Sequence, residues 1–174
     1  MLLSIIVIAL NEEQFLDNCF KSIRYAIECC GLSGLSELIY VDSGSSDSSV
    51  CIAKKYTDKI VKLQPISYPG NSRNAGVKIA NGKYIQFIDG DMELDSHWLK
   101  KAINILNALE ECHVVGVAGI RDDVLYINNC KILKLNIYNS RYLRNSLRFG
   151  GAFFVKKQSI IDVGLFDPDL KGGE

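Results

Sequence analysis

Unbroken apolar runs alternate along the chain with stretches in which apolar residues recur every three or four positions. Leu2 to Ala9 is a continuous run rich in β-branched residues, as a strand covered on both faces requires. Asn11 then reads as the cap of a helix over "EEQFLDNCFKSIRYAIECC", in which Phe15, Leu16, Cys19, Phe20, Ile23, Ala26 and Ile27 keep helical spacing up to Gly31. "SELIYVD" predicts a second strand ending on Asp42, and "SGSSD" a turn whose Ser46 or Asp47 caps a helix through Tyr56. "KIVKL" predicts a third strand. Asn71 to Ala80 reads as a helix with Asn81-Gly82 as its left-handed stop, and Tyr84 to Ile88 as a fourth strand. A helix from about Ser96 to Leu109 and the apolar strand "HVVGVAGI" follow. Beyond Arg121 the periodicity weakens, which suits a less regular segment laid over the ligand edge of the sheet, before "AFFVKK" resumes as a strand and "QSIIDVG" as a short helix stopped by Gly164.

Strand and helix in this rhythm predict an α/β fold with a mostly parallel central sheet flanked by helices. Such sheets bind ligands at the carboxyl ends of their strands. Asn11 and Glu12 follow the first strand, Asp42 ends the second, and Asp89 and Asp91 follow the fourth, so the acidic groups are expected to converge.

Composition narrows the classes. With 174 residues and 48% hydrophobic content the chain can bury one substantial core. Twenty basic and twenty acidic residues cancel, and no basic block stands out, so charge recruits neither nucleic acid nor a membrane surface. The six cysteines include no C-x-x-C pair and are read as reduced; three lie in helical apolar stripes and read as small core residues. "MLLSIIVIAL" lacks a basic leader region and is far shorter than the roughly 20 residues a bilayer crossing needs, which suggests a cytoplasmic chain. His97 and His113 lack neighbouring ligands and read as structural.

"YIQFIDGDMEL" joins a buried strand to two aspartates separated by a glycine. Such a pair is either a polar turn opening the next helix or a set of hard oxygen ligands for a divalent cation. A metal held by two carboxylates completes its shell with phosphate oxygens, which would suit a diphosphate ligand.

Taken in order, "SIIVIALNEEQFLDNCFKSI", "ELIYVDSGSSDSS", "SRNAGVKIANGKYIQFIDGDM" and "FGGAFFVKKQSIIDVGLFDPDLKGGE" resemble the inverting family 2 glycosyltransferases of the GT-A fold. The resemblance implies a single GT-A (Rossmann-like) domain over 1–174, with a nucleotide-binding half at 1–120 and the start of an acceptor-side half at 121–174. It implies metal-dependent transfer, with inversion, of a sugar from a UDP- or dTDP-sugar donor to a glycan, lipid-linked or other hydroxyl acceptor, with Mg2+ or Mn2+ as cofactor. It places Ile8, Ala9, Asn11 and Glu13 against the nucleotide, Asp42 on the base, Arg73 along the nucleotide side of the cleft, Asp91 on the metal, and Asp89 on the ribose or the metal shell. Arg73 could pair with Asp42 or with phosphate, or lie on a solvated helix face. Ala9 and Leu10 stand where the family has a proline-containing turn, and Ser43 where a second aspartate is common.

An inverting transfer needs a base for the acceptor hydroxyl. In the family this is the aspartate of a glutamate-aspartate pair; Glu174 matches the glutamate, and the base would be the next residue. The expectation is therefore a truncated chain that binds donor better than it transfers sugar, with any membrane attachment carried by a part beyond Glu174. The alternatives are a nucleotide-sugar-binding module without activity, an aspartyl phosphatase of the haloacid-dehalogenase type using Asp89 as nucleophile, and a nucleotidyltransferase.

Overall fold

The computed structural model describes residues 1–64, 67–108, 116–118, 123–127, 130–135 and 152–169. The strands are β1 (Leu3–Ala9), β2 (Ser36–Asp42), β3 (Ile60–Lys62), β4 (Tyr84–Asp89), β5 (Gly116–Ala118), β6 (Asp123–Ile127), β7 (Cys130–Leu135) and β8 (Phe153–Lys156). The helices are α1 (Leu16–Cys29), α2 (Ser49–Ala53), α3 (Pro69–Ile79), α4 (Trp98–Ala108) and α5 (Lys157–Asp162). Six strands form one sheet in the order β3-β2-β1-β4-β8-β5. β3, β2, β1 and β4 run parallel, and β8 is antiparallel to both β4 and β5. The sheet is thus mostly parallel and helix-flanked, as the sequence predicts.

All seven residues of β1 are buried, and their alternation assigns them to two layers. Leu3, Ile5, Val7 and Ala9 pack with Leu16, Cys19, Phe20 and Ile23 of α1 and Leu99, Ala102 and Leu106 of α4. Ile6 and Ile8 pack on the other side with Val77 of α3, Ile160 of α5, and Phe87, Phe153 and Val155 of the sheet. Helices on both faces explain why β1 reads as a continuous apolar run.

Several expected details differ. α1 begins at Leu16 with Phe15 at its cap position, because Asn11 adopts a left-handed conformation (φ 57°) and uses its side chain elsewhere. α2 ends at Ala53, short of Tyr56. Neither Asn81 nor Gly82 is left-handed; Ala80 leaves α3 extended (φ −68°, ψ 138°). The cause is a buried network at the amino-terminal ends of the strands, where Glu37 accepts from Asn81 N at 2.5 Å and Ser4 Oγ accepts from Gly82 N at 2.8 Å. Within 121–148, β6 and β7 pair as an antiparallel hairpin, a more regular structure than expected. Of the four cysteines with described side chains, Cys19 is buried, Cys30 half-buried, and Cys29 and Cys51 exposed. Trp98 is half-buried and donates to the enclosed Gln86 at 2.6 Å.

Glu37 also accepts from Ser4 Oγ at 2.5 Å and pairs with Lys59 Nζ. Burial pushes its carboxyl upward, but the hydrogen bonds from Lys59, Ser4 and Asn81 outweigh this and hold the pKa at about 2. A depressed carboxyl pKa contributes stability that is present above the ordinary value of 4.5 and lost as pH falls toward 2. Denaturant unfolding should therefore show Glu37→Gln less stable than the parent by about 1–3 kcal/mol at pH 6, with the difference shrinking between pH 4.5 and 2. A difference independent of pH would contradict this account of the network.

Candidate functional site

The ladders on either side of β1 pair Ala9 with Asp42 and Ile8 with Asp89. The chain moves outward from β1 to β2 and β3, then returns to place β4 on the other side of β1. This is a topological switch point, where loops diverge at the carboxyl ends of the central strands and leave a crevice. The crevice is bounded by three loops: 10–15, 43–48 and 90–97.

The first two loops are laced together. Asn11 Oδ1 accepts from Ser46 N at 2.9 Å and Ser46 Oγ at 3.3 Å, while Asn11 N donates to Ser45 Oγ at 2.9 Å. Glu12 N donates to Ser49 Oγ at 3.0 Å and Glu13 N to Asp47 Oδ2 at 3.0 Å. In return Ser48 N donates to Glu13 Oε2 at 2.9 Å, and Asp47 Oδ1 accepts from Ser49 N at 2.9 Å. These hydroxyls and carboxylates satisfy loop amides that no strand or helix reaches. The serine-rich run after β2 is therefore a fastening for the loop after β1.

Asp42 is buried beneath this rim. Its Oδ2 accepts from Gly44 N at 3.3 Å and Ser45 N at 3.1 Å, and its Oδ1 from Tyr40 Oη at 3.2 Å. Ser43 completes the corner by donating its N–H to Ala9 O at 2.9 Å and sharing a hydrogen bond with Ser72.

On the other side of β1, Asp89, Gly90 and Asp91 form a tight turn. Gly90 N donates to Ile8 O at 2.9 Å, and Met92 N closes the turn onto Asp89 O at 3.1 Å. Gly90 packs so closely on β1 that a Cβ at this position would lie 2.7 Å from Ala9 Cβ and 3.2 Å from Leu16 Cδ1. The close approach leaves Asp91 exposed and Asp89, with 33% side-chain exposure, on the wall of the crevice. Arg73, only 5% exposed, donates to Asp89 Oδ1 at 3.3 Å. Burial pulls the arginine pKa down and Asp89 opposes that pull, so the guanidinium keeps its charge.

Carboxylates dominate the field in the crevice. Glu12 has its pKa raised by partial burial, then by the negative charges of Asp91, Asp47 and Asp89. Beneath them Cys19 is pushed far above the ordinary thiol range by burial and by Asp91, Asp89 and Glu93, which keeps it a neutral core residue. Among the described residues no three His, Cys, Asp or Glu side chains form a ready-made metal cage.

The structure thus brings Ile8, Ala9, Asn11, Glu13, Asp42, Arg73, Asp89 and Asp91 to one end of the sheet. Most of them also have partners within the fold. The carbonyls of Ile8 and Ala9 are already engaged by Gly90 and Ser43, and the side chains of Asn11 and Glu13 fasten the loops. Asp42 braces its own turn, and Arg73 pairs with Asp89 in place of Asp42. Glu174 lies outside the described residues. Asp47 was expected only as a helix cap and also ties the two loops; a serine run flanked by acids at a strand end is the signal for such a tie.

Similarity to known proteins bears on the family and the fold. The family model described as "Glycosyl transferase family 2" matches residues 4–167. The dodecaprenyl-phosphate galacturonate synthase of Rhizobium johnstonii is 30% identical over 131 residues, 72% of this chain and 38% of that protein. The crystal structure of Staphylococcus aureus TarS 1–349 in complex with UDP-GlcNAc superposes with a TM-score of 0.67 at 22% identity, over 100% of this chain and 51% of that one. The mannosyltransferase PcManGT of Pyrobaculum calidifontis, in complex with GDP-Man and Mn2+, gives a TM-score of 0.72 at 16% identity, over 98% and 49%. The chain therefore spans about half of these solved chains and less of the curated relative. Among the described residues no helix is long and apolar enough to cross a membrane.

Gly90→Ala should lower stability by about 1–3 kcal/mol, because the added methyl must displace β4 from β1 or move Leu16. Thermal unfolding checks this; an unchanged midpoint would show that the turn does not depend on that close packing.

Proposed function

The chain belongs to glycosyl transferase family 2, and we propose that its crevice is the donor site for a nucleoside-diphosphate sugar held through a divalent cation. The observation that carries the proposal is the turn at Asp89 to Asp91. It sets two carboxylates at the switch point of the sheet, beside a Glu12 whose pKa is raised first by partial burial and then by the charges of Asp91, Asp47 and Asp89. A dianionic phosphate chain does not approach such a wall without a cation between them.

The donor set fits Mg2+ or Mn2+, because hard divalent ions take carboxylate oxygens and complete their shell with phosphate and water. Asp91, which is exposed, and Asp89, which is partly so, would hold the ion. When bound, the ion offsets charge on the leaving diphosphate as a Lewis acid.

The remaining residues act on position. Arg73 orients Asp89 from α3, on the face of the sheet. The lacing of loops 10–15 and 43–48 presents a rigid rim to the nucleoside, as preorganised binding demands. Asp42 holds the corner of that rim from beneath, and its carboxylate is an acceptor of the kind that a ring N–H such as uracil and thymine present calls for. We therefore assign UDP or dTDP donors. The acceptor is assigned as a carbohydrate or lipid-linked hydroxyl, and the attack as inverting. The complexes of TarS with UDP-GlcNAc and of PcManGT with GDP-Man and Mn2+ support a nucleotide-sugar donor.

Titration calorimetry should show UDP binding in the presence of Mn2+, loss of that binding with EDTA, and weakening by about tenfold or more for Asp91→Asn. Comparison of UDP, dTDP and GDP tests the base assignment. Failure of all three to bind with Mn2+ would overturn the donor-site reading.

A further inference from the structure

Neighbouring residues of α3 serve two parts of the molecule. Arg73 reaches into the crevice, and Asn74 faces the segment that follows α5. The Asn74 amide makes a two-point pair with the backbone of Phe166: Nδ2 donates to Phe166 O at 2.8 Å, and Oδ1 accepts from Phe166 N at 3.0 Å. One turn earlier, Asn71 Nδ2 reaches Pro168 O at 3.4 Å. Gly70 lets the segment lie flat on the helix, since a Cβ there would stand 2.7 Å from Asp167 O. The side-chain amide thus substitutes for a strand partner along a stretch of chain that has none in the sheet.

Fastened in this way, Phe166 packs its ring edge-on to Phe87, with centroids 5.5 Å apart, and against Phe153 at 5.9 Å. The same ring lies 5.8 Å from the guanidinium carbon of Arg73. A long arginine side chain keeps one rotamer only where its surroundings enclose it, because ordering it costs conformational entropy. The phenyl ring and Asp89 both contribute to that enclosure.

We propose that Asn74 is a positioning residue for the donor crevice. By fastening residues 166–168 to α3 it keeps Phe166 beside the Arg73 guanidinium, and Arg73 in turn holds Asp89 in the orientation that the metal and diphosphate require. The consequence for donor binding rests on the reading of the crevice as a donor site; the ordering of Arg73 does not.

Two measurements on the whole chain separate these. The first is hydrogen exchange of the Arg73 guanidinium protons by nitrogen-15 NMR, without ligand. Exchange should be about tenfold faster in Asn74→Leu than in the parent. Phe166→Leu, which keeps the amide pair but removes the ring, should show the same acceleration and carries the test if Asn74→Leu does not fold. Leu106→Ala, which opens the core on the opposite face of the sheet, serves as a control compared at equal distance below its unfolding midpoint, and should leave Arg73 exchange unchanged. The second measurement is calorimetric binding of UDP with Mn2+, which both cleft-side variants should weaken by about fivefold. Unchanged Arg73 exchange in folded Asn74→Leu, or equal acceleration in Leu106→Ala, would overturn the proposal. If the parent binds no UDP with Mn2+, the donor reading falls, and the exchange measurement still decides whether Asn74 orders Arg73.

Discussion

Every residue of β1 is enclosed, and the parallel ladders along its two edges carry Asp42 and Asp89 to its carboxyl end. A slip of one residue in either ladder would exchange the side chains that face the two cores and separate these groups from the crevice. The apolar packing of α1 and α4 on one face and α3 and α5 on the other excludes such a slip. The position of the acidic turn is thus a consequence of core packing, which also forces Gly90 against Ala9 and Leu16.

The opposite ends of the strands handle charge differently. There Glu37 is surrounded by donors from Ser4, Lys59 and Asn81, so its carboxylate is satisfied within the fold. At the carboxyl ends, Arg73 meets Asp89, while Asp91 is exposed and Glu12 feels three neighbouring carboxylates. The contrast separates a structural carboxylate from a set whose field suits a cation from outside. Asp47 belongs to both categories, since its oxygens tie two loops while its charge adds to the field at Glu12.

Periodicity suffices to place the strands, the helices and the end of the sheet where the acids gather, because burial on one face or two leaves a direct trace in residue order. It does not show which side chain meets which. Asn11 satisfies the rules for a helix cap, yet its partner is Ser46, 35 residues away, and that contact exists only once β1 and β2 are paired. Arg73 presents the same difficulty: a single arginine on a helix has several possible carboxylate partners, and the packing of α3 against β1 and β2 leaves it paired with Asp89. The pairing of β6 with β7 was obscured by the mixed periodicity of residues 121–148. Function was legible where four motifs stood in order; the roles of individual side chains within them depended on geometry.

The central claim is that a divalent cation and a diphosphate meet at the turn after β4. Paramagnetic broadening of backbone amide signals by Mn2+ in the presence of UDP tests it most directly, because the effect maps distance from the ion residue by residue. The account predicts that the signals of Gly90 to Met92 and Glu12 broaden first, while those of Glu37 and Asn81 at the far end of the sheet persist. Broadening centred away from Asp89 and Asp91, or spread evenly over the surface acids, would contradict it.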